Sequence, residues 1–223
     1  MDDKEPTTIK IWDVGIRLFH WALVILFCLS AYSAFQDKFG IYANMHLYAG
    51  IATLMLVIWR ILWGVVGSDT ARFSQFVKSP AAGFAHLKQM LAGLPYKSIG
   101  HNPLGGLSVV LMLVLLLAQA SMGLFASDGM IFSGPLSAKV AGSLASDLTE
   151  WHALLGRILI GVVVFHVLVV LVYGALKRVN LVWPMISGKI EGDSSVSAPT
   201  MKPGWFALLL FIAIGATVCL SVF

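Results

Sequence analysis

From Trp151 to Leu176 the chain runs WHALLGRILIGVVVFHVLVVLVYGAL, with Arg157 as its one charged residue. A run of this length and polarity can cross a ~30 Å hydrocarbon core as a helix. Lipid offers the backbone no hydrogen bonds, so an isolated segment must pair its amides internally, as a helix does. Two histidines sit within it, His152 and His166, fourteen residues apart. At 3.6 residues per turn the second imidazole returns to within about 40° of the first, about 21 Å further along the axis. One helix therefore offers two imidazoles on one face, at two depths. Gly156 and Gly161 fall between them and leave room for something flat to approach the backbone. Ionisable groups at such depths are costly and tend to mark function. The bland alternative is two histidines satisfied inside a packed bundle.

Four more apolar stretches, Ile16–Phe35, His46–Val66, Leu104–Phe125 and Trp205–Phe223, join His152–Leu176 as candidate spans. Hydrophobic residues make up 58% of the chain and charged residues 12%, against roughly 45–50% and 25% in a soluble domain. The fold class is an all-α integral membrane protein. No strand-like alternation or internal repeat of fixed spacing competes with that reading. The net charge of +4 resides in loops between spans. It bears on topology, and no nucleic-acid partner is expected. Cys28 and Cys219 both lie in apolar segments, so no disulfide framework is indicated. The N-terminus, MDDKEPTTIKIWDVGIR, lacks the pattern of a cleaved signal peptide and is expected to stay.

Lysine and arginine set the orientation. The loop 67–103 carries Arg72, Lys78, Lys88 and Lys97, and the connection 177–204 carries Lys177, Arg178, Lys189 and Lys202. The other two connections hold Lys38 and Lys139, offset by Asp37, Asp128, Asp147 and Glu150. The N-terminus is thus expected in the cytoplasm and the C-terminus, after five spans, in the periplasm. Residues 191–203, EGDSSVSAPTMKP, form a polar linker. The expected organisation is a four-helix membrane domain over 1–190, this linker, and a fifth helix over 204–223.

On that topology His20, in RLFHWALV, lies one turn into the first span on the cytoplasmic side. His46 opens the second span on the outer side, His152 opens the fourth there, and His166 lies deep on the cytoplasmic side. His46 then matches His152 in depth, and His20 matches His166. Two stacked histidine pairs are the arrangement that two bis-imidazole haems need, with no position left open for oxygen chemistry. Zinc prefers its ligands in one cluster, which pairs about 21 Å apart do not give. No C-x-x-C-H is present, so haem here would be non-covalent b haem. Met45, Met55 and Met122 are read as packing.

Arg60 follows His46 by fourteen residues and so reaches the His20/His166 depth, while Arg17 lies one turn before His20. Guanidinium groups bind carboxylates bidentately, which makes Arg17 and Arg60 candidates for haem propionates. Snorkelling to lipid headgroups is the ordinary alternative. Arg157 is a weaker candidate of the same kind. His86 lies in a moderately amphipathic segment, Pro80–Leu94, and reads as a surface or interfacial residue.

The segments WDVGIRLFHW, His46 followed by WRILWG, HNPLGG, and WHALLG with a histidine fourteen residues on resemble the bacterial cytochrome b561 family. They share parts of their pattern with the b-type cytochrome subunits of nickel–iron hydrogenases. The resemblance covers about residues 10–190. It implies a four-helix bundle with two b haems, ligated by His20 and His166 on the cytoplasmic side and by His46 and His152 on the outer side. The fifth span and the lack of a fused c-type haem domain depart from the pattern.

The expected function is transmembrane electron transfer, and the resemblance implies the membrane quinone pool at one end and an extracytoplasmic redox protein such as a c-type cytochrome at the other, in the bacterial inner membrane. The alternative is superoxide:ubiquinone oxidoreduction at the outer haem. That activity calls for a basic funnel, and the outer loops are net acidic. His101, in HNPLGG, is expected to contact a quinone head group beside the inner haem; its alternative is helix capping beside Asn102 and Pro103. A homodimer stays open.

Overall fold

The computed structural model describes residues 7–37, 39–92, 100–192 and 197–223. Lys38 and Lys97, two of the charges used for orientation, lie outside these residues, as do part of the N-terminus and residues 193–196 of the linker. In chain order come a strand β1 (Thr7–Lys10), then α1 (Val14–Ala34), α2 (Gly40–Val66), and two short helices, α3 (Phe73–Phe76) and α4 (Pro80–Leu91). After them follow α5 (Pro103–Phe125), α6 (Gly142–Lys177), α7 (Val182–Ser187), strand β2 (Lys189–Gly192) and α8 (Gly204–Val222). Among the described residues five helices, α1, α2, α5, α6 and α8, are long and apolar enough to cross a membrane.

The spans begin where capping chemistry puts them. Asp13 precedes α1 and accepts the Ile16 N–H at 2.8 Å, the usual role of an acidic N-cap. Asn102 does the same for α5, accepting the Gly105 N–H at 2.7 Å, with Pro103 in the first helical position. Capping thus falls to Asn102. The structure departs from the sequence reading at α6, which starts at Gly142, ten residues before His152. The polar stretch SLASDLTE reads as loop by composition. Yet its leucines, alanine and glutamate favour helix.

Contacts sort the chain into two compact units, and every spanning helix contributes to both. One unit comprises Met1–Leu18, Ile61–Leu111 and Leu168–Leu208. Here β1 and β2 pair antiparallel, Thr7 opposite Gly192 and Lys10 opposite Lys189. The amides of Ile11 and Trp12 extend the ribbon by donating to the Gly188 carbonyl at 2.8 and 3.1 Å. Gly188 has φ of +80°, and a Cβ there would lie 2.8 Å from the Trp12 carbonyl oxygen, so only glycine fits. The buried Asp13 carboxylate also accepts the indole N–H of Trp63 at 3.1 Å. Asp69 and Thr200 exchange two hydrogen bonds, and the Lys202 N–H donates to Ser68 Oγ at 3.0 Å. These bonds tie the segment before α8 to the loop after α2, and Phe206 packs on Trp63 at 5.7 Å.

The other unit comprises Phe19–Arg60, Met112–Val167 and Leu209–Phe223. Its buried residues come mostly from α2, among them Ala49, Ile51, Leu54 and Val57, at helical spacing. Over the apolar window of α2, 56% is buried, against 6% for that of α6. The second span is therefore far more buried within the protein than α6, most of whose apolar surface is exposed.

Candidate functional site

His46 on α2 and His152 on α6 come together, their ring centroids 5.9 Å apart and their planes at 84°. They border a partly open cavity of about 430 Å³ lined by α1, α2, α5 and α6, within the range of small-molecule and cofactor sites. Each ring is held through the same atom. His46 Nδ1–H donates to the Ser30 carbonyl at 3.0 Å, with Ser33 Oγ 3.2 Å away. His152 Nδ1–H donates to the Gln119 carbonyl at 2.9 Å. A neutral imidazole that donates from Nδ1 carries its lone pair on Nε2, the form in which histidine binds a metal.

Small residues keep the space open. A Cβ at Gly123 would lie 3.0 Å from His152 Cε1, and one at Gly156 would lie 3.2 Å from Gln119 Nε2. Gly50 lines the same cavity, and nothing lies within 4 Å of the position its Cβ would take. Gly161 is likewise open. These openings fit a flat group that needs contact with helix backbones.

His20 on α1 and His166 on α6 lie close enough to interact electrostatically. His20 Nδ1 is buried with no hydrogen-bond partner among the described residues, and Trp21 packs edge-on against its ring at 5.1 Å. Phe19 and Trp59 stack at 5.8 Å and 28°, which joins α1 to α2 beside His20 and Arg60. Arg60 is 3% exposed, so it is a buried cation here and does not snorkel to the surface. The described residues gather no cluster of three or more His, Cys, Asp or Glu that could hold a metal ion.

The remaining candidates fall elsewhere. Arg17 donates from Nη1 to the Ile186 carbonyl and lies against Gly188, which gives its guanidinium a structural task at α7. Arg157 is exposed and lines the cavity. His101 sits between aromatic rings, 4.8 Å from Trp12 edge-on and 4.5 Å from Phe76. His86 departs from the sequence reading: it is 4% exposed, buried on α4. Gly83 explains part of this, since a Cβ there would lie 2.8 Å from Leu107, so α4 packs tightly on α5. Amphipathic periodicity cannot tell a face turned to lipid headgroups from one turned to protein.

A model of the family described as prokaryotic cytochrome b561 matches residues 11–188. The chain belongs to that family. It is also 23% identical over 217 residues to a probable Ni/Fe-hydrogenase B-type cytochrome subunit of Azotobacter chroococcum mcd 1, covering 83% of this chain and 89% of the relative. The protein is thus a multi-pass membrane protein of a family that carries electrons with haem b. The residues present fit that group. Paired imidazoles with Nε2 as acceptor suit haem iron, the buried Nδ1 of His20 lacks a partner, and glycines line the space between helices.

Sequence reasoning overlooked Gln119, Ser30 and Ser33, which hold His152 and His46. Gln119 carried a signal: it is the one amide in the apolar run LMLVLLLAQASMGLF. Ser30 acts through its main-chain carbonyl, which no side-chain pattern reports.

Proposed function

We propose that the protein moves electrons across the bacterial inner membrane through two b haems. His46 and His152 would hold one, and His20 and His166 the other. The observation that carries this reading is the matched pair of Nδ1–H bonds to main-chain carbonyls at His46 and His152. Such bonds fix ring orientation and raise ligand basicity. Haem b, when bound, supplies a one-electron carrier whose potential follows its axial ligands and surroundings.

The chain's own residues then do the rest. The four imidazoles bind from two levels, about 21 Å apart by helix rise. Arg60, buried next to Trp59, would neutralise a propionate, and Arg17 would keep donors for a second one after its bond to Ile186. The domain that performs this is residues 1–190, with 204–223 as an added span. The N-terminus is assigned to the cytoplasm by the basic loops and the C-terminus to the periplasm.

Quinone is the proposed mobile carrier, with His101 contacting its head group. An imidazole between Trp12 and Phe76 combines a proton-transfer group with flat apolar walls. At the periplasmic side the partner would be a redox protein such as a c-type cytochrome. The name of the Azotobacter relative supports a role as the membrane cytochrome of a redox complex. Purified protein should give oxidised and reduced spectra of low-spin b haem. A pull-down from native membranes should retain a redox protein. A chain that carries no haem when expressed with ample haem supply would overturn the reading.

A further inference from the structure

Gln119 meets His152 at both ring nitrogens. Its main-chain carbonyl accepts from Nδ1 at 2.9 Å, and its side-chain Nε2 lies 3.2 Å from His152 Nε2. An amide NH₂ is only a donor. It can bond the ring nitrogen only when that nitrogen bears the lone pair. Both contacts are therefore satisfied by one tautomer, with the proton on Nδ1 and the lone pair on Nε2. The side-chain oxygen of Gln119 is buried and has no hydrogen-bond partner among the described residues. Gly156 leaves the room the amide uses, since a Cβ there would stand 3.2 Å from Gln119 Nε2. A polar side chain in a span with this much apolar sequence has little packing reason to be there.

We propose that Gln119 is a positioning residue that clasps His152 at both ring nitrogens and selects the tautomer able to ligate iron. The proposal rests on the reading of His152 as a haem ligand. In the haem-free protein the amide holds the ring in place and reserves Nε2 as an acceptor. When Nε2 binds iron, the amide gives up that contact and the carbonyl keeps Nδ1. His46 is served differently: Ser30 and Ser33 both meet its Nδ1.

The test uses the full chain, expressed under haem limitation and titrated with haemin in detergent micelles. His152→Ala identifies the site under study, and the His20/His166 site reports that each variant has folded. Gln119→Leu keeps the carbonyl and removes an amide contact that iron must displace; haemin should bind the His46/His152 site about fivefold more tightly, the scale of one net hydrogen bond. Gln119→Glu keeps the shape but replaces the donor with an acceptor, which favours a proton on Nε2. Binding should weaken by on the order of tenfold or more. A packing role predicts the opposite order, with the isosteric glutamate harmless. Nitrogen NMR of labelled histidine in the haem-free chain should give one His152 tautomer in wild type and a protonated Nε2 in Gln119→Glu. Wild-type affinity in both variants, or an unchanged His152 signal, overturns the proposal. If His152→Ala still binds two haems, the ligand reading itself fails.

Discussion

The Asp13 carboxylate joins two helices by accepting the Trp63 indole N–H at 3.1 Å with one oxygen and the Ile16 amide at 2.8 Å with the other. Both side chains are buried, Trp63 completely so. Asp13→Ala removes a cap and leaves a buried indole donor without its acceptor. The cap is worth roughly 1 kcal/mol and the stranded donor about 1–3 kcal/mol. Thermal unfolding in detergent should begin several degrees lower, while Asp13→Asn, which keeps an acceptor oxygen, should recover part of the loss. An Asp13→Ala melting curve that overlays wild type would refute the capping role.

Haem stoichiometry is the most direct check on the electron-transfer reading. Pyridine haemochrome analysis should return two non-covalent b haems per chain, with low-spin, six-coordinate ferric spectra. One haem per chain at full loading would break the pairing.

The two histidine pairs should separate by mutation. His46→Ala and His152→Ala should each remove one and the same haem, and His20→Ala and His166→Ala should each remove the other. Redox titration distinguishes the survivors by their midpoint potentials. Loss of the same haem in His46→Ala and His166→Ala would contradict the pairs.

At His101, replacement by alanine should leave both haem spectra intact and slow haem reduction by a quinol analogue. A loss of roughly 100-fold corresponds to removing a proton-transfer group. Unaltered quinol kinetics would remove His101 from the quinone site.

Gly188→Ala tests the junction between the ribbon and α1. The residue has φ of +80°, and the added methyl group would meet the Trp12 carbonyl and the Arg17 guanidinium. Destabilisation of at least about 1 kcal/mol is expected, measured as a lower unfolding temperature. A Gly188→Ala protein as stable as wild type would mean that the backbone there relaxes freely.

What the sequence made legible follows from helical periodicity. His152 and His166 could be placed on one face because fourteen residues is close to four turns of helix, and the lengths of the apolar runs supplied the five spans. The β1–β2 ribbon was not legible. Its strands are four residues each, have 178 residues between them, and show no alternation long enough to stand out from a loop. The start of α6 was hidden by polar residues that signal turns as readily as helix. His86 was misread because its environment is set by α5, which packs across from Gly83. Gln119 was legible as an anomaly but not as a partner, because the contact with His152 joins residues 33 apart in sequence.

Helix α6 runs unbroken from Gly142 to Lys177, with no proline to bend it. His152 and His166 are thus marks on one ruler, and their separation is fixed by the backbone and not by packing. No ligand or partner can lengthen that interval without breaking helix hydrogen bonds. If the two histidines hold the two proposed haems, control over the flow of electrons falls to the ends of the path, while the interval between them stays a constant of the chain.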